Sequence, residues 1–179
     1  IVEELRRHGV RKIVGDVVLD ATMKDTATLG RGWCWDDKAR PLTPLLYRRG
    51  NKLSDNLLRA LSQAGITVGG FVRTGVAPTA APVWLARTHT IDQVLRPMMK
   101  ESDNLCAESM FFQMASLSRR PYANYRDAVV QMSKLIARWN VSPDEYQIVD
   151  GSGLSLYNYL TPELLVLSLR YAYRNGEIY

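Results

Sequence analysis

The chain has 179 residues, of which 46% are hydrophobic and 23% charged, a composition that predicts a packed core and excludes wholesale disorder. Its formal charge of +5 permits an anionic partner without requiring one. Its basic residues (Arg6, Arg7, Arg11 and Lys12, then Lys38, Arg40, Arg48, Arg49 and Lys52) are scattered rather than gathered into the stripe that nucleic acid needs. No run approaches the roughly 20 apolar residues of a membrane-spanning helix.

The opening Ile-Val-Glu-Glu-Leu-Arg-Arg lacks the apolar core of a signal peptide and does not begin with methionine, so the chain reads as a piece of a longer protein. Residues 1 to 8 put Ile1, Val2 and Leu5 on one helical face, and Gly9 fits the position after a helix end. The β-branched run from Val10 to Leu19, broken by Gly15, predicts one or two short strands. Asp20 follows where the strand reaches the surface; an acid there more often caps a turn than meets a ligand.

Gly32-Trp-Cys-Trp-Asp-Asp is the most unusual composition in the chain, and its indoles are expected to cover the edge of a core. Cys34 and Cys106 have no C-x-x-C spacing, so a zinc site is not expected. Buried free thiols are favoured over a pairing that an oxidising compartment would permit. Pro41 and Pro44 bracket an extended segment. From Ser54, read as an N-cap, Leu57, Leu58 and Leu61 share a helical face up to Gly65, and Ile66, Val68, Phe71 and Val72 suggest another strand. The Pro- and Gly-containing stretch 74 to 82 marks the main boundary.

Val83 to Leu85 reads as a short strand. Thr90 and Gln93 have the spacing of a capping box, opening a helix with Ile91, Val94, Leu95, Met98 and Met99 on one stripe and a kink expected at Pro97. A second helical run begins at Leu105, so Ser102 and Asn104 fall at the corner between two helices. Tyr125 to Trp139 is a further helix. The six methionines read as core filler. Ile148 and Val149 are expected to form a strand running into Asp150-Gly-Ser-Gly-Leu-Ser, and Thr161-Pro162 opens the last helix, with Ser168 on its outer face.

The chemistry these residues allow is narrow. His8 and His89 are the only histidines, in no metal-ligand or triad pattern, and no glycine-rich phosphate loop is present. Serine chemistry without histidine remains. There a lysine activates a nucleophilic serine, while a second serine relays a proton to the leaving amine and an asparagine orients the scissile peptide. Such sites carry S-x-x-K, S-D-N and K-T-G motifs. Here S-D-N occurs twice, at Ser54 and at Ser102, S-x-x-K does not occur, and the sole K-T-G-like tripeptide, Arg73-Thr74-Gly75, precedes Ser102 instead of following it.

Several longer stretches carry a resemblance. Leu95-Arg-Pro-Met-Met-Lys-Glu-Ser-Asp-Asn-Leu-Cys-Ala-Glu-Ser and Val149-Asp-Gly-Ser-Gly-Leu-Ser resemble the penicillin-binding protein 4 type of D-alanyl-D-alanine carboxypeptidase, the peptidase S13 family. Val14-Gly-Asp-Val-Val-Leu-Asp, Gly32-Trp-Cys-Trp-Asp-Asp and Leu61-Ser-Gln-Ala-Gly-Ile-Thr-Val-Gly-Gly match it in the same order.

The resemblance implies an α+β fold. Residues 1–80 would be a portion of an inserted α/β domain, and 82–179 the helical side of a penicillin-binding domain of the serine β-lactamase and transpeptidase type. The S-x-x-K and K-T-G motifs would then lie outside the chain, leaving the fragment inactive alone. Ser102 would be the proton-relay serine and Asn104 the substrate-orienting asparagine. Asp20 would meet the amino end of a peptidoglycan stem side chain, with Met23 and Leu154 beside it; Leu156 stands where some members carry a carboxylate-binding arginine. Peptidoglycan stem peptides as substrate, β-lactams as inhibitors, a periplasmic location and the lack of a metal or other cofactor follow from the same likeness. The alternative from another class is a non-catalytic peptidoglycan-binding relative.

Overall fold

The computed structural model describes residues 1–37, 40–50 and 52–176; Lys38, one of the scattered basic residues, lies outside them. The fold is α+β. The β-branched run resolves into two strands, β1 (Lys12–Ile13) and β2 (Val17–Asp20), preceded by α1 (Val2–Arg7). Helix α2 (Leu53–Gln63) then carries the chain over to β3 (Thr67–Val68) and β4 (Val72–Gly75). β1 pairs with β3 and β2 with β4, both parallel, which requires a crossover of the kind that α2 supplies. Gly9 and Gly65 end α1 and α2 with φ of 71° and 72°, the left-handed turn for which a side chain is costly.

The later half is helical. α3 (Ile91–Lys100), α4 (Asn104–Ala115), α5 (Tyr125–Ile136) and α6 (Pro162–Arg174) follow in order, with a small antiparallel pair, β5 (Tyr146–Gln147) and β6 (Tyr159–Leu160), between the last two. α4 packs on α5 around Leu105, Phe111, Phe112, Ala115 and Ala128, and Leu42 from the first half closes the same core. A second cluster joins Ile136, Val141, Tyr146 and Leu164. Thr22, Asp25 and Leu42 therefore lie on the helical side: Tyr122 N donates to Thr22 O at 2.6 Å, and Asp25 N to Ala123 O at 2.9 Å. Lys24, only 2% exposed, sits 4.4 Å over the Phe112 ring, with its ammonium satisfied by Asp25 and the Ala27 carbonyl.

Five sequence expectations need correction. Ser54 is the second residue of α2 rather than its cap, which is Lys52. Val83 to Leu85 form no strand; the Trp84 ring packs tilted against His8, with centroids 5.1 Å apart. The strand expected at Ile148 and Val149 ends at Gln147, since the Asn158 side chain takes the Val149 amide at 2.7 Å. Of the two indoles only Trp33 is packed, while Trp35 is 97% exposed beside an exposed Cys34; both cysteines are free. No methionine is fully buried: Met132 packs half-buried against the second cluster, whereas Met23 and Met99 are exposed. Among the described residues no helix is long and apolar enough to cross a membrane.

Candidate functional site

Ser102 and Asn104 occupy the corner between α3 and α4, and the corner is built by local chemistry. α3 opens on the predicted capping box, with Gln93 Oε1 accepting from Thr90 N at 3.1 Å, and runs through Pro97 to Lys100. Ser102 then adopts φ of 53°, the left-handed conformation uncommon for a residue with a side chain. Asp103 caps α4 by accepting from Cys106 N at 3.0 Å, so Asn104 becomes the first helical residue. Neither the Ser102 hydroxyl nor the Asn104 amide bonds to another described side chain or backbone group. Both line an open hollow of about 480 Å³ with Arg40, Arg49, Glu101, Asp103 and Leu105.

Arg49 reaches this corner from a tight turn in which Tyr47 and Gly50 exchange hydrogen bonds of 2.8 and 3.0 Å and Arg48 and Arg49 both have positive φ. Its guanidinium pairs with the Asp103 carboxylate. Burial pushes the Asp103 carboxyl up, but the hydrogen bonds from Arg49 and the Cys106 amide, with the Arg49 charge, outweigh it and hold the group below its ordinary value. The Cys106 thiol is raised by burial and by the neighbouring Asp103, which leaves it a weak nucleophile.

One turn further along α4, Glu108 is 1% exposed. Its Oε1 accepts from the amides of Gly151 at 3.0 Å and Ser152 at 2.8 Å, so α4 grips the small-residue turn directly. That turn is folded around a second buried carboxylate. Asp150 Oδ1 accepts from Gly153 N at 2.9 Å and Asn158 Nδ2 at 2.7 Å, and Oδ2 from Ser155 N and Trp33 Nε1, both at 2.7 Å. Gly151 is required at its place: a Cβ there would lie 2.6 Å from Phe111 Cβ and 2.7 Å from the Ala107 carbonyl. Leu154 rides on this turn, partly buried.

Asp20 stands at the end of β2, and its Oδ1 accepts from the Thr22 amide at 2.9 Å and hydroxyl at 2.6 Å, while Oδ2 accepts from Ala77 N at 2.8 Å. These bonds hold its carboxyl below the ordinary value. A carboxylate accepts about four hydrogen bonds, so one position remains for a ligand. Met23 lines a separate hollow of about 170 Å³ with Lys24, Leu42, Pro44 and Phe112. Ser102 and Asn104 thus share one hollow, Met23 lines another, and Asp20 and Leu154 border neither. Glu108, Asp150 and Trp33 carry no role in the sequence reading. The signal for Glu108 was its being the one charged residue of α4, four residues after Asn104.

The sequence model of the D-Ala-D-Ala carboxypeptidase 3 (S13) family matches residues 1–45 and 49–178. The chain belongs to this family. Within the S13 family it is 29% identical to the D-alanyl-D-alanine carboxypeptidase DacB of Haemophilus influenzae over 122 residues, which is 66% of this chain and 25% of that protein. The crystal structure of penicillin binding protein 4 from the same organism superposes with a TM-score of 0.83 at 18% identity, covering 99% of this chain and 57% of that one. A structure of that protein complexed with a β-lactam gives a TM-score of 0.71 over 98% of this chain and 55% of that one, also at 18% identity. At that identity the likeness shows the fold, and the chain spans a quarter of its curated S13 relative and little more than half of the solved ones.

Proposed function

We propose that the chain is part of a periplasmic serine-type D-Ala-D-Ala carboxypeptidase and endopeptidase that cleaves peptidoglycan stem peptides through an acyl-enzyme, with the nucleophile segment and the K-T-G strand outside these 179 residues. Residues 1–80 belong to the inserted domain, except that the stretch carrying Thr22, Asp25, Trp33 and Leu42 packs with 82–179, the helical side of the penicillin-binding domain. The observation that carries this reading is the corner itself. In a member of the S13 family, Ser102 and Asn104 stand in one hollow with side chains that no described residue engages. An unengaged hydroxyl can relay a proton, and an unengaged amide can hold the substrate's peptide group.

Asp20 offers its ionised carboxylate to the amino end of the stem side chain, with Met23 and Leu154 as apolar surface, and β-lactams act as substrate mimics. Fluorescent penicillin tests the reading. The 179-residue chain, lacking serine and base, stays unlabelled, whereas the full-length protein is labelled and Ser102→Ala slows its acylation by about 10²- to 10⁴-fold, the range for a general acid or base. Labelling of the short chain would move the nucleophile into it. A full-length protein that binds peptidoglycan but takes no label would be a non-catalytic relative.

A further inference from the structure

The unexplained group in this molecule is the buried acid of α4. Glu108 follows Asn104 by four residues, so both lie on the same helical face, Asn104 at the rim of the hollow and Glu108 one turn beneath it. Its two bonded amides belong to consecutive residues, Gly151 and Ser152, and Leu154 comes two residues later. The remaining oxygen, Oε2, and the Ser152 hydroxyl are both buried without a well-formed hydrogen bond, although the Ser152 and Tyr125 hydroxyls lie close enough to Glu108 to act on its charge. A buried acid left half-satisfied is costly, and an apolar residue would fill this core position more cheaply.

We infer that Glu108 is the positioning residue that sets the 151–154 turn against the Ser102 and Asn104 corner, so that the apolar wall carrying Leu154 meets the stem-peptide side chain while Asn104 holds the peptide group. This rests on the proposed reading of Ser102 and Asn104 as active-site residues. Two consequences follow from the geometry. The tie runs along α4 alone, so the corner and the turn move together. It is also made by an acceptor aimed at two amides, a task that a glutamine performs as well as a carboxyl group. Burial pushes the Glu108 carboxyl up, Asp150 adds to this, and the Ser152 and Gly151 bonds oppose it. Tyr125, the other ionisable group facing it, is raised by burial and then by Glu108 itself. The acid thus tends toward the neutral form that glutamine copies.

The test uses the full-length protein with a D-Ala-D-Ala-terminated stem pentapeptide and, separately, fluorescent penicillin, which has no stem side chain. Glu108→Ala is expected to raise KM for the pentapeptide by about tenfold with little change in kcat, while penicillin acylation stays within about threefold. Glu108→Gln is expected to restore the parent KM. Should the alanine variant fail to fold, Glu108→Asp, one methylene short of the amides, takes its place. Ile136→Ala, a truncation in the other core cluster, controls for general loosening and should leave the KM ratio unmoved. A loss shared equally by pentapeptide and penicillin, or a glutamine variant as impaired as alanine, overturns the positioning role. Amide exchange at Gly151 and Ser152 separates the two layers: faster exchange in the alanine or aspartate variant, but not in glutamine, supports the tie without any catalysis. Unchanged exchange refutes the tie, whereas a parent protein that takes no penicillin refutes the active-site reading on which the role depends.

Discussion

At the scale of single residues, the corner depends on a charge pair whose protonation can be followed. Asp103 lies between the two proposed active-site side chains, caps α4 through Cys106 N and pairs with Arg49. Its folded-state pKa is lowered from the ordinary 3.8, so the stability it contributes is fully present above that value and is lost as pH falls through the folded pKa. Arg49→Gln removes the charge that lowers it. The variant is therefore expected to be less stable than the parent above pH 4, and the two unfolding curves should converge as the solution is made more acid than the folded pKa. Urea titrations from neutral pH down into that range would show it. A stability difference that stays constant with pH would mean that Arg49 acts by packing alone. Raising salt should shrink the difference only in part, because the Asp103 side chain is mostly buried whereas Arg49 is half exposed.

At the scale of elements, caps show what a sequence can and cannot reveal. The tripeptide Ser54-Asp55-Asn56 looks like a helix start, yet the first turn begins one residue earlier and the Ser54 hydroxyl makes no capping bond. A true capping box opens α5 at Asn124, whose side chain accepts from Asp127 N at 3.1 Å while Asp127 Oδ2 accepts from Asn124 N at 3.1 Å. Asn124→Ala should cost about 0.5–2 kcal/mol, and Ser54→Ala no more than about 0.5 kcal/mol. Chemical denaturation of both variants checks the contrast, and equal losses would contradict the assigned helix start. Helices α3, α5 and α6 were legible because apolar spacing and the Thr90 and Thr161-Pro162 starts agree with one another. The strand pattern was less so: Val83 to Leu85 and Ile148-Val149 have β-branched or aromatic character, but a strand needs a partner, and partners are set by tertiary packing. The Ser102 corner was legible as a place between two periodic runs. What builds it, the Asp103 cap and the Arg49 pair from 54 residues away, was not, because nothing local in the sequence links them.

At the scale of the whole molecule, the two halves of the chain are joined by part-buried polar contacts as well as by the apolar core that Leu42 enters. Trp33 Nε1 donates to Asp150 across 117 residues, and Ser155 Oγ donates to the Arg31 carbonyl at 2.8 Å across 124. Gly32 leaves no room for a side chain beside Tyr157 and Ser155, so the loop 30–33 is seated on the 150–157 turn. The sequence marked this loop by its paired indoles but treated them alike, and burial separates them: Trp33 is seated and Trp35 is 97% exposed. Trp33→Phe keeps most of the apolar ring and removes the N–H, leaving the buried Asp150 carboxylate with three donors in place of four. The expected cost is about 1–3 kcal/mol, the range for depriving a buried polar group of a partner. Trp35→Phe should change stability by less than about 0.5 kcal/mol, as exposed substitutions generally do. Equilibrium unfolding of the two variants under one set of conditions decides between them. If the two losses are equal, loop 30–33 is not fastened to the Asp150 turn, and the order of the Glu108-bonded amides has to come from α4 alone.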